Sequence, residues 1–211
     1  MAQGSVHFYE PRQGHELKHD PFNAIVGPRP IGWISTVDKR GSANLAPYSF
    51  FNAFNYTPPI IGFSTIGWKD TVANVAETGE FCWNLATKSL AQAMNLTCAA
   101  APSEIDEFDV AGLTKAPSQL VLPPRVLESP VNFECRLSQL LQLQRADGEQ
   151  VNSWLILGEV VAVHIDKAYI HDGLYDTALA RPILRAGRTG DYAEITPEAM
   201  FEMPRAVWSK G

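Results

Sequence analysis

The chain has 211 residues, 45% of them hydrophobic and 19% charged, with 17 Lys and Arg against 23 Asp and Glu for a formal net charge of -6. That length and apolar content suit one domain with a sizeable core, and the negative balance without a Lys/Arg cluster disfavours nucleic acid and acidic lipid as partners. The start MAQGSVHFYEP has no apolar stretch of a secretion signal and no run approaches the span of a membrane helix, so a cytoplasmic location is expected.

Residues 14–22 (GHELKHDPF) contain His15-Glu16-Leu17-Lys18-His19, which spells H-E-x-x-H. Two histidines four apart reach one metal only from one face of a helix, with the glutamate beside them as general base. Pro11 and Gly14 upstream, and Pro21 directly after Asp20, work against a helix here. Phe22 and Ile25 also stand where the extended motif needs Gly and His. The segment reads as a turn-rich lead-in, and no metal site is expected.

Residues 31–37 (IGWISTV) read as a strand, 38–41 (DKRG) as a turn, and 42–51 (SANLAPYSFF) as the returning arm of a hairpin. Pro47 cannot donate to a ladder, which demotes that arm to an edge or a bulge. Residues 60–65 (IIGFST) and 81–86 (FCWNLA) are two more short strands. Between them, 70–78 reads as a helix with Asp70 as N-cap, Val72, Val75 and Ala76 on one face, and Gly79 closing the end. Further helices are expected over 89–98 and near 104–110, while 117–130 is too proline-rich for either regular element. From Val131 the alternation predicts a long half-buried strand. Val131, Phe133, Cys135, Leu137, Leu141 and Leu143 fall on one face, with Asn132, Glu134, Arg136 and Ser138 on the other. Asp147-Gly148 signals a hairpin turn, and 154–165 (WLILGEVVAVHI) is its apolar partner, with Gly158 at a bulge or close approach. The last forty residues carry turns and a tail.

Short antiparallel strands with few helices point to a closed or nearly closed β-barrel. No strand leads into G-x-G-x-x-G or a Walker lysine loop, which leaves a doubly wound nucleotide fold unsupported. Gly62-Phe63-Ser64-Thr65-Ile66-Gly67 only approximates a nucleophile elbow, and nothing supplies a paired base. Cys82, Cys98 and Cys135 are odd in number without a C-x-x-C pair, and read as buried thiols rather than a disulfide framework.

Two stretches carry the chemistry. In 62–75 (GFSTIGWKDTVANV) a strand ends, a short loop brings Lys69, and a helix opens at Asp70-Thr71. Free N–H groups, a partial positive charge, an ammonium and a hydroxyl together make a phosphate site. The alternative is that Lys69 is solvated and Asp70 merely a cap. In 28–52, polar Ser35, Thr36, Asn44 and Ser49 lie among aromatics. That suits a flat heteroaromatic ligand, or equally a barrel core with polar turns.

RPIGWIST, G-x-x-N-L-A-P-Y-S-F-F, P-P-x-I-x-F, K-D-T-x-x-N and T-G-E-F-x-x-N-L, in this order, resemble the flavin reductase-like family over roughly residues 10–190. The resemblance implies a mainly β fold with a few α-helices, a six-stranded Greek-key FMN-binding split barrel. It also implies a single domain over 1–211 with its core at about 20–190, and a homodimer with FMN at the subunit interface. Matched by motif, Ser35 and Thr36 end the first strand near the flavin, and Asn44, Ala46, Pro47 and Ser49 line the isoalloxazine. Ser64, Lys69, Asp70 and Thr71 hold ribityl and phosphate, with Arg29 a further phosphate candidate. The implied activity is flavin reduction by NADH or NADPH as co-substrate, with electrons passing to free flavin, a partner monooxygenase or another redox protein.

One departure bears on the donor. Many short flavin reductases carry Gly-Asp-His before the strand ending in Gly-x-Val, close to the nicotinamide. Here Asn152-Ser153-Trp154 precedes Gly158-Glu159-Val160. No catalytic side chain is assigned. His164 is a candidate further along the same strand, although a lone histidine there is as readily structural. An FMN-binding electron carrier reduced by a partner is the alternative reading, and a barrel without cofactor a third.

Overall fold

The computed structural model of the chain describes residues 6–99, 102 and 105–208. Near the N-terminus, His15 to His19 form coil and bends with Glu16 at φ 55, so the two histidines share no helical face. Asp20 Oδ1 accepts the Phe22 N–H at 2.9 Å and starts the short helix α1 (Phe22–Ile25).

The chain then runs through β1 (Arg29–Pro30), β2 (Gly32–Val37), β3 (Ala43–Tyr48), β4 (Phe51–Tyr56), β5 (Pro59–Ile66), α2 (Asp70–Thr78) and β6 (Glu80–Asn84). Helices α3 (Ala91–Leu96) and α4 (Glu107–Ala111) follow, then a ribbon of β7 (Lys115–Ala116) and β8 (Arg125–Val126) and the long hairpin β9 (Val131–Gln144) and β10 (Gln150–Ile165). The small strands β11 (Ile170–His171), β12 (Leu174–Tyr175), β13 (Ile183–Arg185) and β14 (Tyr192–Glu194) complete the fold. Among the described residues the main sheet is antiparallel, in the order β3-β2-β6-β9-β10-β5-β4. Its two edges, β3 and β4, do not pair, which leaves a split barrel. The sheet counts seven strands rather than six because the returning arm breaks at Ser49-Phe50 into β3 and β4. Pro47 lies on β3, an edge as its missing N–H requires.

Strand β2 is buried throughout because both of its faces are covered. Ile34 joins Tyr48, Phe63, Val72, Val75, Phe81 and Ile156 inside the barrel, while Trp33 packs with Leu45, Met94, Phe108 and Val126 on the outer side. Helix α2 lays Val72 and Val75 into the barrel core and ends at Gly79, whose φ of 74 and N–H to the Val75 carbonyl make a left-handed cap. The helix expected over 89–98 is shorter, since residues on both sides of α3 turn out of helical geometry. The one expected near 104–110 starts after Asp106, whose Oδ1 accepts the Phe108 N–H at 2.9 Å, and Glu104 lies outside the described residues.

Strand β9 corrects the simple alternation twice. Its first half is buried on both faces, because the 117–126 segment covers the polar one: Asn132 is 2% exposed and Glu134 fully buried. Further along, the β9/β10 register shifts between Leu137 opposite Gly158 and Gln139 opposite Leu157, a bulge at Ser138. One extra residue reverses which side chains face inward. Leu140 therefore packs on the core, and Leu141 and Leu143 turn to solvent. Gly158 sits at that shift under the Phe81 ring, which leaves no room for a Cβ. The Asp147-Gly148 turn closes the hairpin with Gly148 at φ 91. Cys82 and Cys135 are buried thiols, but Cys98 is exposed because it follows α3 at the rim of a cavity.

Candidate functional site

Helix α2 begins at a lysine. The backbone is still extended at Lys69 (φ -102, ψ 171), which makes Lys69 the N-cap position, and no side chain caps the first turn. Asp70, expected as the cap, is instead the first helical residue with its carboxylate exposed. The Lys69 ammonium is also exposed and makes no hydrogen bond or ion pair with any described residue. The first-turn N–H groups of α2 thus add to the positive end of the helix dipole beside an unpaired cation.

The β3 edge faces this point. Leu45 donates its N–H outward to Glu107 Oε2 at 3.1 Å rather than to β2. Two residues on, Pro47 also faces its nitrogen outward, where no ladder bond is lost. Between the β3 edge, the start of α2, the end of α3 and the start of α4 lies a cavity of about 370 Å³. Its walls are Asn44, Ala46, Pro47 and Tyr48; Lys69, Asp70 and Thr71; Thr97, Cys98 and Ala99; and Glu107. A second cavity of about 230 Å³ adjoins it, sharing Asn44, Asp70 and Glu107 and adding Asp38, Arg40, Ser42 and Asn74. Together they reach the size of ordinary small-molecule sites.

The polar wall is ordered by a short network. Asn44 Nδ2 donates to Thr71 Oγ1 at 2.8 Å and to Thr36 Oγ1 at 3.4 Å, and Asn74 Nδ2 also donates to Thr36 Oγ1 at 3.1 Å. Burial pushes the Tyr48 phenol up to about 12 against its hydrogen bond with Thr71, with Asp70 and Glu107 adding to the rise. The Tyr48 phenol therefore stays neutral at any physiological pH. Burial also raises the Glu107 carboxyl above its ordinary value, opposed by the Leu45 and Glu107 N–H groups and assisted by Asp106 and Asp70.

Six sequence candidates thus meet at one cavity: Asn44, Ala46, Pro47, Lys69, Asp70 and Thr71. Thr36 stands directly behind it, holding Asn44 and Asn74. Ser35, its neighbour on β2, points to the opposite face and donates to the Pro124 carbonyl at 2.6 Å. Ser49 lies beyond β3 and takes the Arg29 Nε–H on its carbonyl at 3.0 Å. Arg29 also donates from Nη1 to the Asn23 carbonyl at 2.5 Å and to the Val26 carbonyl, with its guanidinium over the Phe50 ring. Ser64 is half-buried on β5, with its N–H on the Phe50 carbonyl at 2.8 Å, and does not line the cavity.

His164 belongs elsewhere. It pairs across the hairpin with Asn132, holds Glu134 at 2.6 Å, and lines a separate cavity of about 470 Å³ with Arg125 and Tyr169. Sequence reasoning missed Thr97, Cys98 and Glu107 at the Lys69 cavity. Glu107 meets Leu45 across 62 residues of chain, a contact no local pattern signals. In place of a Gly-Asp-His segment, Trp154 meets Trp68 edge to face, centroids 5.2 Å apart. Among the described residues, no three His, Cys, Asp or Glu gather as a metal would need, and no helix is long and apolar enough to cross a membrane.

The chain is similar to known proteins in sequence and in fold. An uncharacterized protein of Aquifex aeolicus is 36% identical over 169 residues, covering 77% of this chain and 83% of its own. Nitrilotriacetate monooxygenase component B from Bacillus cereus superposes with a TM-score of 0.84 at 28% identity, over 95% of this chain and 100% of that one. The 2-nitrobenzoate 2-nitroreductase NbaA of Pseudomonas fluorescens superposes with a TM-score of 0.77 at 27% identity, over 90% and 92%. Residues 27–179 match the model of the flavin reductase like domain, and the chain belongs to that family.

Proposed function

We propose that this chain is an FMN-binding oxidoreductase, reduced by NADH or NADPH and passing electrons to free flavin or a partner acceptor. The observation that carries the reading is Lys69: an ammonium unpaired among the described residues, at the start of α2 without a side-chain cap, opening into a cavity walled by the β3 edge. This donor set fits a phosphate monoester. Backbone N–H groups at a helix start and an ammonium are the chemistry that binds one. When bound, FMN supplies the hydride and electron chemistry, and the protein supplies binding, orientation and exclusion of water.

In this reading Lys69 and the first turn of α2 hold the phosphate, and Thr71 and Asn44 orient the polar part of the ligand. Ala46 and Pro47 offer an apolar wall to the ring. Thr36 positions Asn44, while Ser35, Ser49, Ser64 and Arg29 shape the surrounding strands through the bonds described above. The whole chain then acts as one flavin-binding domain in the cytoplasm. A monooxygenase component among its solved relatives supports a partner oxygenase as acceptor.

Anaerobic stopped-flow absorbance at the oxidised flavin band tests the activity, and bleaching by NADH or NADPH is expected. A second reading, an electron carrier reduced by a partner protein, rests on Asn152-Ser153-Trp154 standing in place of Gly-Asp-His. Bleaching by a reduced redox protein and by neither nicotinamide would favour it.

The reading includes a homodimer. Strand β4 is an edge of the main sheet, yet Phe54 is 55% and Tyr56 93% exposed on it. Exposed aromatics on an unpaired edge are characteristic of an interface. Light scattering that gives a stable monomer with FMN bound would contradict this.

A further inference from the structure

Glu107 stands where a phosphorylated ligand meets resistance. It opens α4 and reaches both the Lys69 cavity and the adjoining one, its Oε2 fixed against the β3 edge by the Leu45 N–H at 3.1 Å. The charges and titratable groups around it are mostly acidic. Asp70 faces it from α2, Tyr48 from β3 and Cys98 from the end of α3. Asp109 lies on its own helix, and Asp106 beside it is engaged by Lys115. In the adjoining cavity Asp38 is paired with Arg40 at 2.9 Å. Lys69 alone brings an uncommitted cation to the larger cavity among the described residues.

A phosphate monoester carries a charge of about -1.5 to -2 near neutral pH. Added here, it meets Asp70 and Glu107 with one lysine to share, and crowded anions relieve their repulsion when one takes a proton. Asp70 is exposed and screened by water, so Glu107 is the group that yields. Its carboxyl already stands above its ordinary value, through burial first and then Asp106 and Asp70, with the Leu45 and Glu107 N–H groups opposing.

We infer that Glu107 is a specificity-determining residue: it takes up a proton when a flavin phosphate seats beside Lys69, so that affinity for FMN, but not for riboflavin, falls as pH rises. The inference rests on the FMN reading above. The proton comes from solvent to the carboxylate and returns when the flavin leaves. Because the carboxyl has a higher pKa in the complex than in the free protein, FMN affinity is full below the free value. It declines through the interval between the two values and is level above the bound one.

Isothermal titration of FMN and of riboflavin at about pH 5 to 8, into the wild-type chain and Glu107→Gln, tests this. Glutamine keeps an acceptor for the Leu45 N–H and removes the charge. Each unit by which the phosphate raises the Glu107 pKa corresponds to about tenfold in affinity. Wild-type affinity for FMN is expected to drop with pH by about that factor more than in Glu107→Gln, which binds FMN more tightly at pH 8. Riboflavin curves for the two proteins are expected to coincide. The second ionisation of the phosphate itself, near pH 6, is read separately from the 31P shift of bound FMN in both proteins, so that a proton taken by the phosphate is told from one taken by Glu107. Parallel FMN profiles overturn the inference alone, whereas failure of both flavins to bind overturns it together with the FMN reading. If the variant does not fold, the 13C shift of the Glu107 carboxyl in the labelled wild type, followed over about pH 4 to 8 with and without FMN, decides: a higher midpoint with FMN supports the inference, and an unchanged or lower one overturns it.

Discussion

Around His164, the buried polar groups engage one another. Glu134 is fully buried, yet its oxygens take the Gln119 N–H at 2.8 Å, the Leu120 N–H at 2.6 Å and the His164 Nε2–H at 2.6 Å. Arg125 is spent on the Pro117 carbonyl and Asn132, and Asn132 on Asn84. Around Lys69 the pattern is reversed: among the described residues the ammonium has no partner, the helix start has no side-chain cap, and the Glu107 carboxylate leans on backbone N–H groups alone. Both regions are polar walls of cavities on the same barrel. A closed network has no capacity left and serves stability, whereas open donors keep their capacity for a ligand.

The largest expected effect comes from breaking the closed network. Glu134→Ala orphans two backbone N–H groups and His164, and should cost about 3 to 5 kcal/mol, read as a lower urea midpoint with any flavin binding retained at low denaturant. The same carboxyl gives a pH signature. Burial alone would raise its pKa, but the Gln119 N–H, His164 and the Leu120 N–H hold it below the ordinary 4.5. Its contribution is therefore complete above the unfolded value and lost as pH falls through the folded one. Unfolding midpoints should drop below about pH 4.5 in the wild type, and less steeply in Glu134→Gln.

Lys69→Ala acts on the open side. It should weaken FMN binding by about 1.5 to 3 kcal/mol, roughly 10- to 150-fold, and leave riboflavin affinity and the urea midpoint unchanged. Equal losses for both flavins would mean a damaged fold. His164→Ala sharpens the contrast, with about 1.5 kcal/mol lost in stability and no change in flavin affinity. An altered FMN affinity in that variant would move the site toward the second cavity. Thr71→Val should have the smallest effect, about 1 kcal/mol in FMN affinity. Because Asn44 donates to that hydroxyl, a small loss in the unfolding midpoint should accompany it.

The sequence made the open side easier to read than the closed one. A strand end, a lysine and a helix start within residues 62–75 are consecutive, so local rules place Lys69 and Thr71 together. Asn44 reaches them through the β3 edge, which Pro47 already implied. Ser35 and Thr36 could not both face one cavity, since neighbours on a strand point to opposite sides. Glu107 and the partners of Glu134 come from segments 14 to 62 residues away, beyond any local pattern. Strand β9 hid its inward residues for another reason: the bulge at Ser138 changes the parity halfway, and no residue type there announces it.

The account turns on a phosphate held at the start of α2. Titration of the wild-type chain at pH 7 with FMN and with riboflavin, followed by quenching of flavin fluorescence, tests that most directly. The account predicts saturable binding of FMN at one per chain, at least about tenfold tighter than riboflavin. Equal affinity for the two flavins, or no binding of either, would contradict it.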